Sequence, residues 1–263
     1  MIDLHSHILP GIDDGPGALE GSLAFARAAV EAGITEIVAT PHVSWRYANT
    51  AASIGADVAE LRGLLAAHAI ALQLHAGAEV AMTQVGEIDA GVLRALHLGG
   101  GPWLLLEPPF TPVASGLLEI VAGLQQRGHR ILLAHPERCP AIHREPSLLS
   151  EMVASGVLAS VTAGSLVGQF GSTVKRMAVQ ILQDGLAHNV ASDAHDAVKR
   201  PPGMREEIER AGLGSLSEWL TVEVPSAILA GSPEIPPRPP YRPPARGLGS
   251  RIRARVRPSG ERT

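Results

Sequence analysis

Short apolar runs alternate with stretches of helical periodicity along most of the chain. Residues 2–4, 34–40, 71–76, 103–106, 131–134, 158–162 and 189–192 have the length and apolar content of buried strands. Residues 18–32, 56–69, 117–126, 147–155, 173–184 and 204–211 space their apolar side chains as helices do. Gly33, Gly128 and Gly185 stand where three of those helices should stop. This is seven βα-like units, with 204–211 as the last clear helix. Such alternation predicts parallel strands covered by helices. One closed or nearly closed barrel is the economical arrangement. An open doubly wound sheet is the alternative, but no glycine-rich dinucleotide fingerprint follows the first strand.

Composition sharpens this reading. In 263 residues, 45% are hydrophobic but only 3% aromatic, so the core is built from Ala, Val, Leu and Ile. The single cysteine, Cys139, excludes an intrachain disulfide and fits a reducing, cytoplasmic setting. The first residues, Met1 to His5, lack the basic start and apolar stretch of a signal peptide. The span between Glu151 and Lys175 carries no charge, yet its serines, glycines and Gln169 break it into helix end, strand and loop rather than a transmembrane segment.

The net charge of −4 is unevenly spread. Residues 232–263 hold eight Arg against two Glu, leaving −10 on residues 1–231. An acidic body argues against nucleic acid as a partner. The 232–263 segment also holds eight of the 21 prolines and is expected to be a Pro/Arg-rich disordered or polyproline tail. Its plain reading is a solvated extension; the functional one is contact with a protein partner or an anionic membrane. The division is therefore a folded body, 1–231, and a tail, 232–263.

Ligand-type residues gather at the strand ends. The first strand runs into His5 and His7, the second into His42, the third into Glu79, the fourth into Glu107, the fifth into His135, and the seventh into Asp193 and His195. All C-terminal ends of a parallel barrel open on one face, where active sites sit. Asp14, just after the first strand, can bend back over that face. His5 and His7, two apart, point to the same side of an extended strand. So many carboxylates and imidazoles in one cavity demand cations, which predicts a multinuclear metal site. Mixed N and O donors suit Mn²⁺, Fe²⁺ or Zn²⁺ better than Ca²⁺. His68, His75, His97, His129, His143 and His188 lie off these ends and read as surface or structural; alternation leaves His75 a supporting role behind Glu79. Arg138 and Arg200, just beyond His135 and His195, fit a clamp for an anionic substrate such as phosphate.

With Ile2–Gly15, Thr40-Pro41-His42, Gly77-Ala78-Glu79, Leu105-Leu106-Glu107, Ala134–Arg138, Thr162–Leu166 and Ser192–His195 in order, the chain resembles the PHP superfamily. More narrowly, it is similar over about residues 1–205 to the bacterial manganese-dependent protein-tyrosine phosphatases of capsule and exopolysaccharide clusters. The resemblance implies a distorted TIM-like (β/α)7 barrel (the PHP fold) holding three divalent ions, Mn²⁺ first, with Fe²⁺ or Zn²⁺ as alternatives. It implies one ion on His5, His7, Glu79 and Asp193, a second on Glu79, Glu107 and His135, and a third on Asp14, His42 and His195. Arg138 and Arg200 take the catalytic, phosphate-binding positions. The implied substrate is a phosphotyrosine protein, such as a polysaccharide-synthesis tyrosine kinase.

The chemistry expected of these parts is attack on phosphorus by a metal-bridging hydroxide, without a phospho-enzyme. A cysteine-based mechanism is excluded, because Cys139 and Arg144 are separated by four residues rather than five, with Pro140 removing a backbone donor. The rival readings are a histidinol-phosphate or other small phosphoester phosphatase, and a non-enzymatic regulator acting through the tail.

Overall fold

The computed structural model describes residues 1–112 and 116–241. In chain order it contains β1 (Ile2–Ser6), α1 (Leu19–Glu31), β2 (Glu36–Ala39), β3 (His42–Val43), α2 (Ala51–Ala67), β4 (Gln73–Ala76), β5 (Glu79–Ala81), α3 (Ala90–Ala95), β6 (Trp103–Glu107) and α4 (Leu117–Gln126). There follow β7 (Arg130–Ala134), α5 (Pro140–Arg144), α6 (Ser147–Ala154), β8 (Leu158–Thr162), α7 (Ala163–Val167), α8 (Ser172–Gln183), β9 (Asn189–Ala191), α9 (Arg205–Arg210) and α10 (Val224–Leu229). The expected stops Gly33, Gly128 and Gly185 all hold positive φ, at 81°, 84° and 77°.

Every strand pairing is parallel, in two sheets ordered β1-β2-β4 and β3-β5-β6-β7-β8-β9. The seven expected strands become nine because the second and third are each interrupted. Pro41, which has no N–H to give a ladder, separates β2 from β3. Gly77 and Ala78 separate β4 from β5, and a Cβ at Gly77 would stand 2.9 Å from Val38 Cγ1. Hydrogen bonds still cross between these interruptions, from Gly77 N to Ala39 O (3.0 Å) and Glu79 N to Pro41 O (3.1 Å). At the other edge Ser6 bridges Ala194 in parallel, with His7 N donating to Ala194 O and Asp193 N to His5 O at 2.9 and 3.0 Å.

Apart from β4, which is partly exposed, the strands are buried on both faces, as parallel strands between helices are. Leu104 to Leu106 and Ile131 to Leu133 are wholly inaccessible, and the core is mostly aliphatic, with Phe25, Trp103 and Trp219 its aromatic members. The chargeless stretch after Glu151 divides among α6, β8, α7 and α8. No helix among the described residues is long and apolar enough to cross a membrane.

Two boundaries differ from expectation. Helix α2 starts at Ala51 rather than 56, because Thr50 and Ser53 form a reciprocal capping box. Beyond α9, residues 214–229 are also ordered into short helical turns, burying Leu220, Val224 and Ile228. The start of the Pro/Arg-rich segment lies on the body. Trp219 Nε1 donates to Pro236 O (2.9 Å), Arg238 Nη2 to Leu182 O (2.7 Å), and Arg130 Nη2 to Pro233 O (2.8 Å). Contact with the body thus continues past the 231/232 boundary; residues 242–263 of the expected tail lie outside the described residues.

Candidate metal centre and phosphate site

The C-terminal strand ends bring all nine expected ligand residues into one cluster. His5, near the end of β1, and His7, just beyond it, bring their Nε2 atoms to 3.3 Å. Glu79, at the start of β5, is 1% exposed and central. Its Oε1 is 2.8 Å from His135 Nε2, and its Oε2 is 3.2, 3.5 and 3.0 Å from His5 Nε2, His7 Nε2 and His42 Nδ1. Asp193 Oδ1 lies 3.5 Å from both His5 Nε2 and His7 Nε2. Asp14 Oδ1 approaches His195 Nε2 at 3.2 Å and His42 Nε2 at 3.5 Å. Glu107 Oε2 stands 3.9 Å from His42 Nδ1.

Local backbone geometry makes this convergence. His135 and Asp193 hold left-handed φ values of 32° and 49°, sharp turns off β7 and β9 that cost energy in residues other than glycine. The loop carrying Asp14 folds back so tightly that a Cβ on Gly15 would lie 2.2 Å from the His7 carbonyl oxygen. Only glycine allows that approach.

The donors fall into four overlapping groups: His7, Asp14, His42 and His195; His5, His7 and Asp193; His5, Glu79 and His135; His42, Glu79 and Glu107. Cations fit this set on three observations. Glu79 Oε2 faces three imidazole nitrogens yet accepts no hydrogen bond, and the buried His135 Nδ1 also has no partner. Burial and the adjacent Glu79 push Glu107 up to about 7, the cost of crowding carboxylates without a neutralising charge. Burial and then Arg138 push His135 down to about 4, which keeps it in the neutral form that ligates. Nitrogen and oxygen donors without thiolate match Mn²⁺, Fe²⁺ and Zn²⁺ chemistry.

The two arginines meet on the outer oxygen of Asp193. Arg138 Nη1 and Arg200 Nη2 lie 2.6 and 2.7 Å from Oδ2, and Arg200 Nη2 also donates to the Asp193 carbonyl at 2.8 Å. Asp193 therefore presents Oδ1 to the histidines and Oδ2 to the guanidiniums. Burial raises its pKa, but His5, His7 and both arginines more than reverse this and hold it well below the usual carboxylate range.

Several residues in this architecture escaped the sequence reading. Asp13 Oδ2 is 2.7 Å from His7 Nδ1 and accepts from His42 N at 3.1 Å, orienting two ligands. Its signal was the Asp13-Asp14 pair, of which only the second was singled out. Burial works against charge on His7, but Asp13 and Asp193 together raise it to about 10. Asp3 ties β1 to β9, accepting from Ser192 N and Ser192 Oγ. Buried Glu137 accepts from Thr162 N (3.0 Å) and Ser165 Oγ (2.7 Å), joining the turn after β7 to the one after β8. His75 does not back Glu79; it pairs with Glu36 at 3.0 Å. Cys139 is buried, with Sγ 3.7 Å from Pro109 O.

A parallel α/β scaffold thus presents clustered His, Asp and Glu donors that could hold metal ions, beside two arginines. The chain belongs to the capsular polysaccharide synthesis CpsB/CapC family, whose model matches residues 1–215. It is 37% identical over 201 residues to the tyrosine-protein phosphatase YwqE of Bacillus subtilis, covering 76% of this chain and 79% of that one. It is 33% identical over 204 residues to the putative tyrosine-protein phosphatase CapC of Staphylococcus aureus, covering the same shares. Among solved structures it superposes with a TM-score of 0.81, at 32% identity, on one from the crystal structures of YwqE and of CpsB from Streptococcus pneumoniae, described as unique metal-dependent tyrosine phosphatases. That match covers 94% of this chain and 100% of the other.

Proposed function

We propose that this chain is a metal-dependent protein-tyrosine phosphatase, hydrolysing phosphotyrosine on a protein such as a tyrosine kinase of polysaccharide synthesis in the cytoplasm. The carrying observation is the juxtaposition of the nine-residue donor cluster with two arginines on one carboxylate oxygen of Asp193. We further propose that both sheets work as one distorted seven-unit barrel, joined by the hydrogen bonds around Gly77, Glu79 and Asp193. The catalytic unit is residues 1–231.

Three divalent ions, Mn²⁺ first, are the reading best suited to the donors. His5, His7, Glu79 and Asp193 would hold one, Glu79, Glu107 and His135 another, and Asp14, His42 and His195 the third. Such ions would supply a low-pKa water and neutralise charge on a phosphoryl group. The chain's own groups supply the rest. Arg138 and Arg200 bind and orient the phosphate, and they strengthen their hold as charge builds on its equatorial oxygens. Asp193 keeps both guanidiniums beside the donors. The buried imidazoles of His5, His7 and His135 close the floor against bulk water.

The test is turnover with added Mn²⁺ on a phosphotyrosine peptide and on histidinol phosphate. A peptide kcat/KM at least tenfold above histidinol phosphate supports the proposal. The reverse preference identifies a small-molecule phosphatase, and no turnover of either overturns the phosphatase reading.

A further inference from the structure

Four of the chain's eight aromatic residues are Trp45, Tyr47, Phe110 and Phe170, in the loops beyond β3, β6 and α7. Phe170 sits in the turn after α7, and thus above β8. In the sheet order β8 lies between β7, which leads to Arg138, and β9, which leads to Arg200. The Phe170 ring is accordingly within reach of both guanidiniums. Arg138 Cζ is 4.6 Å and Arg200 Cζ 5.6 Å from its centroid. Phe110 gives Arg138 a second ring at 5.3 Å, but does not reach Arg200.

The segment bearing Phe170 is tied to both arginine loops. On one side Glu137, next to Arg138, accepts from Ser165 Oγ and Thr162 N. On the other, Gln169 Nε2 donates to the carbonyl of Lys199, next to Arg200, at 3.2 Å. Gly164 makes room for this, since a Cβ there would stand 2.0 Å from Gln169 Oε1.

The two guanidiniums converge on a single oxygen, Asp193 Oδ2. For Arg138 that oxygen is a pivot, fixing where its planar fork ends but not how the plane turns; Arg200 Nη2 is held in addition by the Asp193 carbonyl. Each fork is on a long, flexible stem, and the two carry like charge. A π face attracts both cations and sets their planes.

We infer that Phe170 is a positioning residue, whose ring is the common platform that holds Arg138 and Arg200 as a pair facing the phosphate. This rests on the reading of those arginines as the phosphate clamp. Phe170 does not itself touch the reacting atoms. Its contribution is the π face rather than bulk, so the shape-filling residue leucine should not replace it, whereas tyrosine should.

The experiment compares wild type, Phe170→Leu, Phe170→Tyr, Arg138→Ala and Arg200→Ala, each loaded with Mn²⁺ and matched for metal content and Tm. Kinetics use p-nitrophenyl phosphate, and orthophosphate affinity is measured by calorimetry. Phe170→Leu should lose roughly 5- to 30-fold in kcat/KM, the range of a desolvated cation–π contact, and bind orthophosphate more weakly. Phe170→Tyr should stay within about twofold of wild type on both measures, because tyrosine keeps the π face. If Phe170→Leu lowers Tm, Phe170→Met takes its place with the same expectation.

Wild-type values for the leucine or methionine variant overturn the inference, as does an equal loss in the tyrosine variant. The clamp reading fails separately, if Arg138→Ala and Arg200→Ala keep wild-type turnover.

Discussion

Asp13 Oδ2 lies 2.7 Å from His7 Nδ1, on the side of the imidazole away from the Nε2 that faces Glu79 and Asp193. A carboxylate behind a ligating histidine fixes its tautomer and raises its basicity as a donor. The same oxygen holds the His42 amide. Asp13→Asn and Asp13→Ala should therefore weaken Mn²⁺ binding by roughly 10- to 100-fold, the usual cost of losing such a partner. A metal titration followed by calorimetry checks this, and unchanged affinity counts against the orienting role.

Removing the ions should abolish turnover, and restoring Mn²⁺ should recover it. His42→Ala and Asp193→Ala should lower both bound metal and kcat by orders of magnitude while far-ultraviolet circular dichroism stays native. Cys139→Ser should keep activity near wild type, because Cys139 is buried and its sulfur faces Pro109 O. A dead Cys139→Ser variant with full metal content would point to thiol chemistry.

A histidine pair away from the centre should govern part of the acid sensitivity. His97 Nδ1 is 2.8 Å from Gly101 O, so it carries the proton, and His97 Nε2 accepts from His129 Nδ1 at 2.9 Å. Burial, then His97 and Arg127, push His129 down to about 4. The unfolded chain takes up that proton near the ordinary value of about 6.5. Between about 6.5 and 4 the unfolded state thus binds more protons, and stability is lost as pH falls through that window. His129→Asn lacks the titration, so its Tm deficit against wild type should shrink between pH 7.5 and 4.5. A deficit that stays constant or grows would contradict the assignment.

The segment from 232 to 241 should act as a strap for stability, not for catalysis. It bonds to Trp219, Leu182 and Arg130, the last being the first residue of β7, at the end opposite the ligands. Each such bond contributes about 0.5–1.5 kcal/mol. A chain ending at 231 should melt roughly 3–18 °C below one ending at 241, given about 2–4 °C per kcal/mol at this size. Both should hydrolyse p-nitrophenyl phosphate at the same rate at 20 °C. Equal melting would show that the strap carries no stability; a selective loss of activity in the shorter chain would place it at the site.

The alternation of apolar runs and helical stretches was legible along residues 1–211, because parallel strands buried on both faces are written as continuous aliphatic segments. Leu158–Thr162 and Leu117–Gln126 fall on their expected bounds. Helix α2 began early because a polar cap, not an apolar period, sets its start. Residues 219–229 were missed because their turns are short and mix π- and α-helical geometry, so no single period marks them.

Residue type and position alone determined which side chains meet at the centre: a histidine or carboxylate at the end of a strand needs only parallel neighbours to join the others. The sequence also determined the aliphatic core and the exclusion of a cysteine phosphate loop. Only the tertiary structure decided how the donors are shared and braced. Asp193 splits its oxygens between histidines and arginines, Asp13 backs His7, and Phe170 lies between Arg138 and Arg200. The physical reason is that most of these relationships join residues distant in the chain, such as Arg138 and Asp193, 55 positions apart, or His5 and Asp193, farther apart still. They depend on left-handed turns at His135 and Asp193 and on the order of β7, β8 and β9, none of which has a local signature in the chain.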